Sequence, residues 1–172
     1  VLSTHLYTEG TADGTTGYDG DAGKLEADFL ISYGLSLQWN VPLFIGEFGV
    51  GSAATKAHEW TRDFMNIFDK YMIGACWWSY WRDDNSFGLL TSKGEENENL
   101  LSALVRIYPC QFNYAPEVLN YDIYMNVSET TWYLNKVDDI TAVFKVPSRM
   151  GGNFSLSSNF SSTSFSFDRV TS

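Results

Sequence analysis

The alternation of strand-like and helix-like segments constrains the fold of this chain most strongly. A short apolar segment ends at Tyr7, a second runs over Pro42–Phe48, and a third covers Ile73–Trp81. Between them, residues 24–39 and 53–71 carry apolar side chains at helical spacing. Strands that alternate with helices in this order favour parallel pairing through helical crossovers. The sequence therefore predicts an α/β fold with about three βα units and a parallel sheet.

The helix predictions rest on stripes of apolar residues along one face. The first stripe recurs every four residues and consists of Leu25, Phe29, Tyr33 and Leu37. The second consists of Ala57, Trp60, Phe64, Phe68 and Tyr71. A third helix is expected where Ser92–Glu95 has the form of a capping box and apolar residues follow from Leu100.

The character of the sequence changes after Pro109. Apolar and polar residues alternate with a period of two near residues 119–126 and 140–146, as in half-buried strands. The serine-rich tail carries phenylalanines at strand spacing from Phe154 to Phe167. We therefore predict two domains, an α/β portion over 1–109 and a small antiparallel β module over 110–172.

Composition excludes some partners without naming a substrate. The chain has a formal net charge of −10, which argues against nucleic acid and anionic membrane surfaces as partners. Its 44% hydrophobic content suffices for a packed core, yet no apolar run approaches the length of a membrane span. We expect a monomer for the full-length protein.

Weaker signals concern location and metals. Acceptors for N-glycosylation at Asn126, Asn153 and Asn159 permit a secreted glycoprotein, and we expect a secreted, lysosomal or extracellular location. The two cysteines, Cys76 and Cys110, are compatible with a disulfide or with two buried thiols. No cofactor or metal is expected, because the acidic, glycine-containing loop before the first helix lacks EF-hand spacing.

The segment PLFIGEFGVG places a single carboxylate, Glu47, at the end of an apolar strand. Glu47 follows Ile45 by two residues, so the alternation of a strand predicts that both side chains leave on the same side. In a parallel α/β barrel, a polar residue at the carboxyl end of a strand faces the active site. The alternative is a glutamate that caps a helix or binds an arginine.

Two further strand ends carry side chains suited to the same site. His5 and Tyr7 share a face at the end of the first strand, although such a pair is often structural. The run Trp77–Trp81 contains four aromatic residues and leads into the polar residues that begin at Arg82. Aromatic clusters usually belong to the core, but rings at the end of a strand would suit the apolar faces of a sugar.

These three motifs together resemble the last three strands of a glycoside hydrolase family 5 barrel, in the cellulase-like clan of TIM barrels. The motifs are STHLY ending at Tyr7, FIGEFG around Glu47 and WWSYW ending at Trp81. The module after Pro109 is similar to the β-sandwich of the endoglycoceramidase branch. The resemblance to the barrel covers residues 1–107 and only the C-terminal part of the family's domain. It implies that 1–109 is the C-terminal portion of a TIM (β/α)8 barrel and that 110–172 is a small antiparallel β-sandwich-like module.

The resemblance implies a retaining β-glycosidase and a role for each residue. Glu47 would be the catalytic nucleophile, Tyr7 would hydrogen-bond and orient it, and His5 would contact the sugar or the acid/base. The substrate-binding residues would be Trp78, Trp81 and Tyr80, with Trp78 favoured as the floor of the subsite for the attacked sugar. The bond cleaved would be the β-linkage between oligosaccharide and ceramide of a glycosphingolipid.

Retention requires two carboxyl groups about 5–5.5 Å apart, and the second is not found among the candidates in this sequence. The family carries its acid/base in an Asn-Glu pair on an earlier strand, whereas Asn97-Glu98 lies in a helical pattern after the third strand. We therefore expect a fragment that is inactive alone on an aryl β-glycoside or a ganglioside. The competing functions are a β-glucanase or β-glucosidase of the same family, and a non-catalytic carbohydrate- or glycolipid-binding protein.

Overall fold

A computed structural model of the protein describes residues 1–8, 17–84, 86–112, 118–124, 127–133, 142–147 and 149. The elements of its first part are β1 (Leu2–Leu6), α1 (Ala22–Trp39), β2 (Leu43–Phe48), α2 (Ala57–Tyr71), β3 (Ala75–Trp77) and α3 (Glu98–Leu104). In the described remainder, the strands are β4 (Tyr108–Phe112), β5 (Val118–Tyr124), β6 (Val127–Tyr133) and β7 (Ala142–Lys145).

The first three strands form one parallel sheet in the order β1-β2-β3. This confirms the predicted strand–helix alternation, since each pair of neighbouring strands is joined by a helical crossover. The βαβαβ arrangement is that of a partial TIM barrel.

The hydrophobic core lies between one face of this sheet and the helices. Ile45 and Phe48 of β2 are buried there against Trp60, Phe64 and Phe68 of α2. On the opposite face, which we call the open face, His5 and Phe44 are exposed. The alternation of β1 and β2 therefore separates a packed side from a side that is accessible to ligands.

Helix α1 follows its predicted stripe for two turns and then departs from it. Leu25 and Phe29 are buried and Tyr33 packs against the core, but Leu37 is exposed and Ser36 is buried in its place. With 3.6 residues per turn, each four-residue step rotates the side chain by about 40° away from the core direction. Three such steps carry residue 37 off the buried face.

Helix α2 buries the predicted stripe and connects the sheet to α1. Trp60 donates a hydrogen bond from Nε1 to Thr8 Oγ1 over 3.1 Å, which ties α2 to the end of β1. On α1, Glu26 accepts hydrogen bonds from Lys70 and Tyr71 of α2 at 2.7 and 2.6 Å. The two helices are thereby held together as one layer.

The predicted capping box at Ser92–Glu95 is wrong. These residues form a turn in which Gly94 has a φ of 84° and donates to Thr91 O, so the chain reverses there instead of entering a helix. Helix α3 starts at Glu98, and the side chain of Asn97 accepts a hydrogen bond from Leu100 N–H. Asn97 supplies the cap, because its short amide reaches the free N–H groups of the first turn.

Beyond residue 107 the described strands pair antiparallel, β4 with β7 and β5 with β6. Two of these strands, β5 and β7, lie where alternation predicts them. The β-sandwich itself stays a prediction, as does the domain boundary between 109 and 110, which lies within β4. The glycosylation acceptors and the segment Phe154–Phe167 lie outside the described residues.

Two further observations concern the chain as a whole. Among the helices in the described ranges, none combines the length and apolar character needed to cross a membrane. Cys76 in β3 is exposed and its thiol is free, so it is neither bonded nor buried.

Candidate active site

The carboxyl ends of β1 and β2 lie side by side at the open face. In the parallel register Thr4 pairs with Ile45, but the next pair is His5 with Glu47, so a β-bulge at Gly46 interrupts the ladder. Ile45 is fully buried in the core, whereas Glu47 is partly exposed beside His5. The prediction that Ile45 and Glu47 share a side is wrong, because one extra residue in β2 turns Glu47 to the open face.

Gly46 permits this bulge to form against β1. A Cβ atom at residue 46 would lie 2.7 Å from Ser3 Oγ and 3.5 Å from His5 Cδ2. Gly46 and Glu47 therefore both face the side of the sheet that carries Ser3 and His5. The absence of a side chain at residue 46 leaves room for the Ser3 hydroxyl group, whereas the His5 ring lies at an ordinary contact distance.

Glu47 is held by two side chains from β1 and the residue after it. The Tyr7 hydroxyl donates a hydrogen bond to Glu47 Oε2 over 3.1 Å. His5 Nδ1 lies 3.3 Å from the same oxygen, with the Glu47 side chain 28% exposed. Both of these contacts fall on Oε2 rather than on Oε1.

The protonation of Tyr7 suits its role as a donor. Burial, together with the hydrogen bond to Glu47 and the charge of that carboxylate, raises the pKa of Tyr7 to about 12. The phenol therefore keeps its proton throughout the neutral range, and its contact with Glu47 is a donated hydrogen bond to an acceptor.

The aromatic run Trp77–Trp81 begins in the core and ends at the surface. Trp77 packs edge-on against Phe48 with ring centroids 5.3 Å apart. Strand β3 ends there, four residues earlier than predicted. Trp78, Tyr80 and Trp81 are 51%, 68% and 69% exposed.

The exposed members of this run line a cavity of about 460 Å³. Its lining also includes Asp83, Phe87 and Gly88. Trp78 N–H donates to Phe48 O over 2.9 Å, and Phe48 directly follows Glu47 in the chain. The backbone of Trp78 is therefore tied to the end of β2, while Glu47, Tyr7 and His5 themselves do not line this cavity.

Comparison with known proteins finds a family match for the first 84 of the 172 residues. Residues 1–84 match the cellulase family, glycosyl hydrolase family 5. This segment belongs to glycosyl hydrolase family 5. The match includes His5, Tyr7, Glu47 and the aromatic run, so all the site residues predicted from the sequence lie within the matched segment. No curated protein matches the chain.

Solved structures show the same fold. A hyperthermophilic endo-β-1,4-glucanase in complex with substrate is 24% identical, with a TM-score of 0.51, and the alignment covers 60% of this chain and 39% of the glucanase. Endo-glycoceramidase II from Rhodococcus sp. in its cellobiose-like isofagomine complex is 20% identical, with a TM-score of 0.56 and coverage of 67% and 26%. Its lactosyl-enzyme intermediate is 17% identical, with a TM-score of 0.56 and coverage of 69% and 26%. This chain spans about two fifths of the glucanase and about a quarter of the endo-glycoceramidase.

Several acidic residues of the described chain have partners away from Glu47. Glu96 and Glu98 both bind the Arg149 guanidinium, and Asp19 binds Lys24. Glu9, Asp13 and Gly14 lie outside the described residues. In the described ranges, no group of three His, Cys, Asp or Glu side chains is arranged to hold a metal ion.

Sequence reasoning missed two residues of the site. Gly46 fits the pattern of an apolar strand, although a glycine inside a strand is a known signal of a bulge. Phe87 lies in a polar loop with no periodic pattern around it, and nothing in the sequence indicates that it packs against Tyr7. Its position depends on how the loop folds back over the strand ends.

Proposed function

We propose that this chain provides the nucleophile half of the active site of a retaining β-glycosidase. The observation that carries the proposal is the convergence of Tyr7 and His5 on one oxygen of Glu47. An anchored Oε2 fixes the plane of the carboxylate and presents Oε1 for attack. Such fixed geometry is the usual source of rate when a nucleophile and a bound substrate react.

In the proposed reaction, Glu47 Oε1 attacks the anomeric carbon and the glycosidic C–O bond breaks. A second carboxyl group protonates the departing oxygen, and a glycosyl ester forms on Glu47. Water then attacks the anomeric carbon and releases Glu47, with the second group acting as base. We assign the second group to no residue of this chain, because its acidic residues lack the strand-end Asn-Glu setting.

The exposed rings of the aromatic run would bind the sugar. Trp78 is the favoured floor of the subsite, because its backbone N–H donates a hydrogen bond to Phe48, the residue that follows Glu47. Trp81 and Tyr80 continue the same cavity lining. Flat aromatic surfaces pack against the C–H faces of a pyranose, and the neighbouring Asp83 offers a carboxylate to its hydroxyl groups.

For the substrate, we propose the β-linkage between an oligosaccharide and ceramide. Support comes from the sequence after Pro109, whose alternating pattern resembles the β-sandwich of the endoglycoceramidase branch, and from the long polar segment between β1 and α1. Among the similar structures, the endo-glycoceramidase is also represented by a lactosyl-enzyme intermediate. A covalent sugar–enzyme species of that kind is what retention requires. A glucan is the alternative substrate, since the similar glucanase shares the fold.

The nucleophile can be tested with Glu47→Ala and Glu47→Gln in the full-length protein. Both should lower kcat/KM on an activated aryl β-glycoside by at least about 10³-fold, as loss of a catalytic residue typically does. Azide should restore turnover to Glu47→Ala only and give the α-glycosyl azide, because the small anion attacks from the space that the carboxylate occupied. Rescue that yields no such product would show that Glu47 is not the nucleophile.

A mechanism-based 2-fluoro glycoside provides a direct second test. Mass spectrometry should locate the trapped sugar on the peptide that contains Glu47, and no label should appear in Glu47→Gln. Labelling of another carboxylate would contradict the assignment.

The substrate is decided by comparing a glycosphingolipid with cello-oligosaccharides. Release of an intact oligosaccharide from the lipid supports the endoglycoceramidase assignment, whereas cleavage of cello-oligosaccharides alone supports a glucanase. Binding of either ligand by an inactive parent would instead support a carbohydrate-binding protein.

A further inference from the structure

We propose that Phe87 is a positioning residue, which fixes the Tyr7 ring against Glu47 and holds the aromatic run in place beside them. Its catalytic consequence rests on the proposed function, whereas its effect on Tyr7 does not. Phe87 is half-buried, and it contacts or bonds to residues at the carboxyl ends of all three strands of the parallel sheet.

The first contact is with Tyr7. The two rings meet edge to face, with centroids 5.6 Å apart and an angle of 72° between their planes. Tyr7 lies one residue beyond β1, so its backbone is outside the ladder that orders His5. The Phe87 ring therefore restricts the Tyr7 side chain on a side where the sheet does not.

The second contact is with the backbone after Glu47. A Cβ atom at Gly49 would lie 3.1 Å from Phe87 Cδ1, so the ring packs directly over this glycine. Gly49 is two residues from Glu47. One ring thus lies against both the donor of the hydrogen bond and the strand that carries its acceptor.

The third connection runs through the Phe87 carbonyl group. It accepts hydrogen bonds from Trp77 Nε1 at 2.8 Å and from Ser79 N at 3.3 Å. These bonds hold the Trp77 side chain and the Ser79 backbone, which flank Trp78 in the chain. The aromatic run is thereby placed relative to the same residue that packs against Tyr7.

The backbone around Phe87 is held independently of its ring. Ser52 N–H donates to Ser86 O over 2.8 Å, and Leu89 N–H donates to Ser79 O over 3.2 Å. A change of the Phe87 side chain should therefore leave the loop in place. Side-chain variants of Phe87 then report on the ring alone.

The test compares Phe87→Leu with Phe44→Leu in the full-length protein. Phe44 lies on the open face of the sheet but at the start of β2, so Phe44→Leu also removes one aromatic ring, at a position away from Tyr7. The readout is the fraction of Tyr7 ionised at pH 11, from the absorbance at 295 nm of each variant minus that of its Tyr7→Phe partner. Circular dichroism establishes that each protein is folded at that pH.

With a pKa of about 12, about a tenth of Tyr7 is ionised at pH 11 in the parent. Removal of the Phe87 ring exposes Tyr7 to water, and burial is the largest cause of the raised pKa. We expect the ionised fraction to rise at least threefold in Phe87→Leu and to stay at the parent value in Phe44→Leu. An unchanged fraction in Phe87→Leu would overturn the proposal.

The catalytic consequence is measured on the same variants. Phe87→Leu should lower kcat about 10-fold or more, because misplacement of a catalytic group costs rate. KM should change less than kcat, although the ring also lines the proposed sugar cavity. Phe87→Tyr keeps the ring and should restore both values. Increased Tyr7 ionisation with an unchanged kcat would overturn the catalytic role of Phe87. An inactive parent would overturn the proposed function, but the titration would still test whether the Phe87 ring shields Tyr7.

Discussion

At the residue scale, Tyr7 is the side chain whose chemistry the structure defines most closely. Its pKa is raised to about 12 by burial first, then by its hydrogen bond to Glu47 and the charge of that carboxylate. Because burial acts without Glu47, the two residues can be tested separately. In Glu47→Gln, the pKa of Tyr7 should fall from about 12 only part of the way to 10. A return to 10 in a spectrophotometric titration, or no change at all, would contradict this order of causes.

Tyr7 also makes stability depend on alkaline pH. A folded-state pKa above the unfolded value of 10 means that the folded protein binds this proton more tightly. The resulting stability is fully present below pH 10 and is lost as pH rises towards about 12. We therefore predict that the free energy of unfolding of the parent, relative to Tyr7→Phe, is smaller at pH 11 than at pH 9. Urea unfolding of both proteins at the two pH values measures it, and a difference that grows with pH would contradict the prediction.

The sequence predicts that Glu47 lies with His5 and Tyr7 at one edge of the sheet, and the structure places them in contact. The reasoning behind that prediction is nevertheless incomplete. Parallel strands bring their carboxyl ends to one edge, so polar residues at successive strand ends are expected to meet there. The side on which Glu47 emerges depends on the bulge at Gly46. Simple alternation instead places Glu47 on the same side as Ile45, which faces the core. A bulge arises from pairing between two strands, which a single strand's pattern does not contain.

At the element scale, the connection between β2 and the aromatic run depends on Gly49. A Cβ atom at this position would lie 2.7 Å from the backbone oxygen of Trp78, which cannot rotate away as a side chain can. We predict that Gly49→Ala costs about 1–3 kcal/mol of stability, as overpacking does. It should also lower activity, because Trp78 must move relative to Glu47.

Two glycines serve as controls for Gly49→Ala in urea unfolding. Gly34 lies inside α1, where an added Cβ would meet no atom within 4 Å, so Gly34→Ala should stabilise by about 0.5–1 kcal/mol through the better helix propensity of alanine. Gly46→Ala should cost less than Gly49→Ala, because its close contact is the Ser3 hydroxyl, which can change rotamer. Equal costs at 46 and 49 would refute the role given to the Trp78 carbonyl.

The end of β3 and the start of α3, which the hydrophobic pattern of the sequence does not predict, have the same physical cause. The aromatic run has the pattern of a continuous strand, yet beyond Trp77 its backbone groups bond to the loop at Phe87 and Leu89 as well as to the end of β2. The turn at Ser92–Glu95 likewise replaces a helix start because Gly94 takes a positive φ. In both places, contacts outside the segment's own pattern outweigh its local propensity.

At the scale of the whole molecule, two arginines connect parts of the chain that are distant in sequence. Arg106, after α3, is buried and bonds to Asp69 and Asn66 of α2. Arg149, after β7, binds Glu96 and Glu98, whose side chains are 51% and 73% exposed. Burial should make the first connection far more important to stability than the second.

We predict that Arg106→Met costs about 3 kcal/mol and Arg149→Met less than about 1 kcal/mol at neutral pH. Loss of Arg106 leaves the Asp69 carboxylate without its cation in a mostly buried position, which is the costly way to break an ion pair. The pairs of Arg149 are screened by water, and such pairs contribute little. Urea unfolding at pH 7 measures both costs, and a cost for Arg149→Met equal to that for Arg106→Met would contradict the assignment.

The cost of Arg106→Met should also depend on pH in a defined direction. Burial raises the pKa of Asp69, and the charge and hydrogen bond of Arg106 act against that rise. Without Arg106 the pKa rises further, so the variant continues to lose stability with increasing pH after the parent has stopped. The difference in the free energy of unfolding should therefore be smaller at pH 4 than at pH 7. If Asp69 causes this pH dependence, the cost of Arg149→Met should not grow in the same way between pH 4 and pH 7. Within the described residues, the ion pairs of Arg149 are with Glu96 and Glu98 and not with Asp69.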